Sequence, residues 1–447
     1  MSKYNSYKNV SFGWIRNIPN HWNVKKMSWC YPNIGSGTTP KSSNEKFYED
    51  GSVNWLLTGD LTDGFVKSTK KKITPIAIQE VSSLKLYPIE SVVMAMYGAT
   101  IGKLGILEIE TTTNQACCVF PKSSDILNKY LFYWLLFSRN EIINLSYGGG
   151  QPNISQEVIK NLRITKPPIS EQQQIVSYLD NKTGLIDSLI KKKQRKIKLL
   201  QEKRTSLINE VITKGLDPDV KMKDSRVEWI GEIPEKWNSI KLKYLGDMII
   251  GITYKPFNVV EENKGVLVLR SSNIQNGKFS FKDNVYVDSD ISDKHKTKLG
   301  DILICTRNGS RRLIGKNAMI SQDLTNLTWG VFMTMFRSKY SNYLYWILNS
   351  PVFQSQSGSY LTSTINQLTI NTLNNLEIPF SQNGKERDEI VNFLTLNCSE
   401  IDKLINLENK KIIKLKEYRQ SLISDVVTGK IKVCEEDLSI KQPIHQE

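Results

Sequence analysis

The feature that most constrains this chain is a long apolar seam that occurs twice. From Ser170 to Gly215 the sequence reads SEQQQIVSYLDNKTGLIDSLIKKKQRKIKLLQEKRTSLINEVITKG. Ile186, Ile190, Ile197, Leu200, Leu207 and Val211 recur at alternating spacings of four and three, a heptad seam interrupted by Lys193 and Arg204. Pro167 and Pro168 stop whatever precedes it, and Ser170 with Gln173 predicts a capping-box start. Gly184 is expected to break or bend the early turns, and Lys214-Gly215 to end the helix.

Such a helix needs a partner to cover its seam, and the chain supplies one. Every seam position reappears 215 residues later as Ile401, Ile405, Ile412, Leu415, Leu422 and Val426, and the interruptions return as Glu408 and Arg419. A constant offset without a gap over about forty residues is an internal duplication. It extends beyond the helix. WIRNIPNHW at 14–22 matches WIGEIPEKW at 229–237, again 215 apart. The repeated unit is a short Trp/Pro-rich lead, a variable body and a long helix. The expected segments are 1–168 (lead plus first body), 169–215 (helix), 216–380 (lead plus second body), 381–430 (helix) and a 431–447 tail.

The two bodies differ in sequence and share landmarks. Each reads as mixed α/β, with short β-rich runs and many turns. Residues 91–96 (SVVMAM) and 301–306 (DILICT) are predicted strands, each followed by a Gly-containing loop and a Gly-Lys pair, Gly102-Lys103 and Gly315-Lys316. Helices are expected at 126–138 and 343–349, then Ser/Gly/Asn-rich loops at 147–155 and 355–366, then short strands at 161–164 and 375–378.

Charge narrows the partner. The formal net charge of +15 favours a polyanion, nucleic acid first, although abundant Lys, Asn and Ile also follow from an AT-rich genome. No run of eighteen apolar residues is present, so no membrane span is expected. The N-terminus has no apolar core region, and the six cysteines show neither metal-ligand spacing nor disulfide density; the cytoplasm is the expected compartment.

Catalytic chemistry is hard to place. Gly98-Ala99-Thr100-Ile101-Gly102-Lys103 is one residue short of a phosphate loop, and Leu104 stands where a magnesium-binding hydroxyl is needed, so the turn reading prevails. The three histidines, His21, His295 and His445, make a His-based acid/base or metal site improbable. No amino-methyltransferase motif, adenosylmethionine loop, helicase motif or nuclease motif is visible. No catalytic residue, metal site or cofactor is therefore assigned.

Binding candidates are polar loop residues able to reach base edges, with cations nearby to hold phosphates. The first body offers Ser36, Thr38, Thr39, Lys41, Thr58, Tyr97, Thr100, Lys103, Gln151 and Asn153. The second offers Tyr254, Lys255, Arg270, Ser271, Asn273, Arg307, Asn308, Arg311 and Arg312, where three arginines flank a Gly turn beside a predicted strand end. The lysine run at 191–198 reads either as a phosphate track or as the solvated face of a coiled coil.

VEWIGEIPEKW at 227–237, PPISEQQQIVSYLD at 167–180, GATIGK, GGGQPNIS and the duplicated helices together resemble a type I restriction–modification specificity subunit. The resemblance covers almost the whole chain. It implies two target-recognition domains alternating with two helical regions that pair as an antiparallel coiled coil, giving a pseudo-twofold subunit. Each recognition domain would read one half of a split, asymmetric site in double-stranded DNA. The helices would set the spacing and dock two methyltransferase subunits, which recruit two restriction subunits where the system has them. Adenosylmethionine, ATP and magnesium are then expected on partners. A helix of about 40 Å, at about 1.5 Å per residue, is close to one turn of B-DNA and fits a fixed gap between half-sites. One departure stands out: Glu386-Arg387-Asp388 replaces Glu171-Gln172-Gln173, which would make the second dock differ if that start contributes to docking. A stand-alone DNA-binding regulator on the same scaffold, or a self-sufficient methyltransferase, are the alternatives.

Overall fold

A computed structural model describes residues 2–146, 152–275, 277–361 and 366–434. The chain divides into two compact units, one made of residues 1–193 and 410–447, the other of 194–409. Each unit therefore holds one body, one lead and half of each long helix.

The first long helix runs unbroken over Ile169–Lys214 and the second over Gly384–Val427. Gly184 does not break the first. One glycine costs about 1 kcal/mol, which the buried stripe of a 46-residue helix outweighs. The predicted cap moves as well. The helix starts at Ile169, and the amide of Gln172 already bonds to the Pro168 carbonyl, so Ser170 lies inside the first turn.

Every predicted seam position is buried or half-buried. In the second unit Lys196 pairs with Glu408 at 3.1 Å and Arg204 with Asp402 at 3.0 Å, so the two helices run antiparallel. In the first unit Arg419 pairs with Asp187 at 3.2 Å. Arg204 and Arg419 are duplicated positions, as are Asp187 and Asp402. Three of the seam interruptions, Arg204, Glu408 and Arg419, are thus held in ion pairs that fix register. Arg204 also lies over the Trp346 ring, which ties the seam to the second body.

Each lead folds as a two-stranded antiparallel hairpin, Tyr7–Phe12 with Ile15–Pro19 in one unit and Met222–Asp224 with Glu232–Pro234 in the other. The tryptophan that follows is buried, and its indole N–H reaches the carboxylate at the start of a long helix. Trp22 donates to Glu171 at 2.8 Å and Trp237 to Glu386 at 3.0 Å. Each helix ends at a left-handed glycine, Gly215 or Gly429, packed near the same tryptophan.

Each body is closed at its neck by its own ends. Asn23–Lys26 pairs with Arg163–Lys166, and Asn238–Lys241 with Glu377–Phe380, both antiparallel. Inside the first body, Cys117–Phe120, Val92–Ala95, Leu104–Leu107 and Gly64–Val66 lie side by side in a four-stranded sheet. A smaller sheet joins Val53–Leu56 to Lys71–Ile73 and, in parallel, to Thr112–Thr113. The second body repeats this scheme with Asp247–Ile250, Met333–Arg337, Ile302–Cys305 and Asn317–Met319, and with a parallel pair of Val266–Leu269 and Thr328–Trp329. The central strands are buried on both faces, which is why they read as continuous apolar runs.

The predicted body helices lie at Asn128–Asn144 and Ser341–Leu348. The loop expected over 355–366 is helical in its first part, because Ser350 caps a helix at Pro351–Ser359. That helix is held to the neck by Gln356, which donates to the Glu377 carbonyl and accepts from the Glu377 amide.

Candidate nucleic-acid interface

Four segments meet on each body, and they are equivalent between the two. The first follows a glycine that no other residue could replace. A Cβ on Gly37 would run into the Thr113 carbonyl, and one on Gly251 into that of Gly330. This close approach lays residues 38–41 and 252–255 beside the end of the parallel strand pair. The second segment is a tight 3-10 turn after the partner strand, Thr58–Asp60 in the first body and Ser271–Asn273 in the second. Asp60 accepts from the Leu57 amide, and Asn273 from the Arg270 amide at 2.9 Å. The third is the hairpin turn after the central strand, and the fourth is the chain returning from the body helix. An isolated antiparallel bridge joins these last two, Tyr97 to Asn153 and Arg307 to Gln367.

In the second body these segments surround an open cavity of about 910 Å³. Tyr254, Arg270, Ser271, Arg307 and Asn308, all expected from the sequence, line it, together with Val331, Phe332, Asn366 and Gln367. The arginines are not alike. Arg270 is paired to Asp283 at 3.0 Å and Arg311 donates to the Gly358 carbonyl at 3.0 Å. Arg307 is exposed, and its guanidinium carbon lies over the Phe332 ring, 5.3 Å from the centroid. Arg312 is exposed at the neighbouring turn, and Lys255 lies over the exposed Phe257 ring. Asn308 donates to Ser271 Oγ at 2.9 Å, tying the hairpin to the 3-10 turn.

Asn273 leaves the set of base-contacting candidates. It is fully buried, and its amide is spent on the Ser280 and Asp283 carbonyls and on Asn284. Lys316 of the Gly-Lys landmark is likewise structural: it donates to the Ile274 carbonyl at 2.9 Å, and burial lowers its pKa. Burial pushes the neighbouring Cys305 thiol up to about 11, so it is an inert core group.

In the first body Tyr97 donates to the Gln115 carbonyl at 2.6 Å and Thr39 to the Gln115 side chain at 2.8 Å. Burial raises the Tyr97 phenol, which stays neutral. Asn153, Lys41 and Lys103 are exposed; Ser36, Thr38, Thr58 and Thr100 are half-buried. Gln151 lies outside the described residues. The sequence reading missed Gln115, Phe332, Asn366 and Gln367. The first two follow the short parallel strands, whose pairing partner is more than fifty residues away. A comparison of the duplicated halves around 112–117 and 328–333 could have found them.

Among the described residues no cluster of His, Cys, Asp and Glu could hold a metal, and no helix is long and apolar enough to cross a membrane. Residues 32–199 match the family model of the type I restriction modification DNA specificity domain. The chain is 26% identical over 432 residues to the type I restriction enzyme MjaVIII specificity subunit of Methanocaldococcus jannaschii, covering 93% of this chain and 94% of that one. The chain is thus similar to type I restriction–modification specificity subunits, by the family model over 32–199 and by the MjaVIII relative over most of its length. A shorter stretch, 37% of the chain and 42% of the relative, is 28% identical to the EcoR124I/EcoR124II specificity subunit of Escherichia coli. A solved chain from work on complex assembly and conformational transition of the type I R-M system shares the fold, with a TM-score of 0.71 at 16% identity over 93% of this chain and 99% of that one. Arg307 over Phe332, the exposed lysines and, among the described residues, the unspent amides of Asn153 and Gln367 form a polar face rich in hydrogen-bond donors and acceptors.

Proposed function

We propose that this chain is the non-catalytic DNA-reading subunit of a type I restriction–modification complex acting in the cytoplasm. Each body reads one half of a bipartite, asymmetric site in double-stranded DNA. The paired helices set the gap and dock two methyltransferase subunits, joined by two restriction subunits where the system has them. Adenosylmethionine, ATP and magnesium chemistry resides on those partners. The observation that carries this reading is the same four-segment face on both bodies, built on one duplicated frame and lined by different side chains.

The test is co-expression with the cognate modification subunit, followed by genome-wide mapping of methylated adenines. A single new bipartite motif with a fixed gap is expected, and exchanging residues 238–380 for those of another specificity subunit should alter one half only. Removing one heptad from each helix should change the gap and leave the letters. A soluble stoichiometric complex that methylates no such motif would defeat the proposal.

A further inference from the structure

The bridge that joins hairpin to return segment puts two side chains next to each other at the same place on both bodies: Tyr97 and Asn153 in the first, Arg307 and Gln367 in the second. Opposed residues in an antiparallel pair have Cβ atoms about 4.5–5.5 Å apart, so each pair presents one joint surface. We propose that this bridged pair is the base-reading element of each body, and that Arg307 reads a guanine in the half-site of the second. This rests on the DNA-reading role proposed above and assigns it to particular atoms.

Three observations single out Arg307. Its backbone is fixed on both sides, since its amide donates to the Phe332 carbonyl and its residue is bridged to Gln367. Its guanidinium is oriented by the Phe332 face, a contact made with the π-cloud that uses none of the five N–H donors. Among the described residues no hydrogen bond or ion pair engages those donors, whereas Arg270 and Arg311 are committed to Asp283 and to the Gly358 carbonyl. A planar donor fork held in place, exposed and unspent, matches the O6/N7 edge of guanine in the major groove. The stack lowers the conformational entropy lost when the fork engages a base. Gln367 beside it carries an amide able to bridge the N6/N7 edge of an adjacent adenine, and Asn153 holds the same place in the first body.

Phosphate is the competing ligand for such a fork, and the two make different predictions. The full-length chain, co-expressed with its modification subunit, would be compared as wild type, Arg307→Gln, Asn153→Ala and Arg312→Gln by methylated-adenine mapping and by salt titration of binding to the mapped duplex. The expected result is that Arg307→Gln relaxes a single guanine position by roughly 5- to 150-fold. Asn153→Ala should relax a position in the other half of the motif. Arg312→Gln, whose side chain is not stacked, should leave every letter unchanged. The assignment is overturned if Arg307→Gln weakens all sequences alike and reduces the salt slope by about one, the mark of a phosphate contact. In that case the wild-type motif still stands, and with it the DNA-reading role. Absence of any wild-type motif would remove both. Arg307→Lys guards against a folding defect: it keeps the charge, and it should lose guanine discrimination while the complex still assembles.

Discussion

Gln172 lies in the Glu171-Gln172-Gln173 start that the sequence connects with partner docking, yet it is fully buried. Its carbonyl accepts from the Leu127 amide at 2.8 Å, and its amide donates to the Asp125 and Pro167 carbonyls at 3.1 and 2.9 Å. One side chain therefore ties the first turn of the long helix to the start of Asn128–Asn144. Replacing it with alanine strands one donor and two acceptors in a dry place. At about 1 kcal/mol net for each bond, Gln172→Ala should cost about 3 kcal/mol. For a unit of roughly 200–250 residues that lowers Tm by about 6–12 °C. Urea unfolding and thermal melts of the full chain would measure it, beside titration with the modification subunit at a temperature where the variant is folded. A loss below about 1 kcal/mol would refute the accounting. An unchanged melt with weakened subunit binding would refute the structural assignment and restore Gln172 to the docking surface. The second unit solves the same problem differently: Arg387 stacks on Tyr340 and Phe380, 4.9 Å from each centroid, and donates to the Ser381 carbonyl.

Asp125 accepts from Lys166 and Lys25, and these bonds hold its carboxyl below its usual 3.8 while raising Lys25 above 10.5. Its stabilisation is present above the unfolded carboxyl value and is lost as pH falls through the lower folded one; the share from Lys25 is lost only as pH rises through its raised value. The stability deficit of Asp125→Asn should therefore be fullest between about pH 4 and 10 and close on the acid side, as urea midpoints across pH would show. Asp301 is buried and holds Arg337 through two bonds, at 2.9 and 2.7 Å, so Asp301→Ala should cost about 2–3 kcal/mol in urea unfolding by removing them, while the Lys296 carbonyl still accepts from the guanidinium. Gly215→Ala and Gly429→Ala both force a left-handed backbone, at φ of +77° and +72°. A Cβ at 215 would sit in ordinary contact with Trp237, whereas one at 429 would drive into the Pro19 ring. Gly429→Ala should be the more destabilising by about 1–2 kcal/mol in the same assay.

The frame was legible because it is written twice. A repeated seam, Trp/Pro lead and terminal glycine need no knowledge of tertiary structure to be seen. Local rules failed where distant partners decide. Gly184 carries a weak breaking tendency that a long packed stripe overrides. Ser170 has a capping side chain, but the second of two prolines upstream had already begun the helix. At the candidate face, residue type picked out loops that the fold brings together and could not rank their members. Arg270, Arg307 and Arg311 look equivalent in sequence. What separates them is Asp283, Phe332 and Gly358, each brought in by a turn or strand far along the chain.

The duplicated halves keep one frame and vary one face. Interactions repeated between the halves, such as Trp22–Glu171 with Trp237–Glu386 and Asp187–Arg419 with Arg204–Asp402, lie in the leads and helices. The positions that differ, Tyr97 against Arg307 and Gln115 against Val331, sit on turns whose backbones are fixed by bridges and by the close approach at Gly37 and Gly251. Main-chain hydrogen bonds hold those turns whatever side chain they carry, and an exposed side chain contributes little to the core beneath it. Substitution at the face is therefore nearly free of stability cost, while substitution in the neck or seam is not. On the proposed DNA-reading role, each body can change what it reads without loosening the frame that presents it.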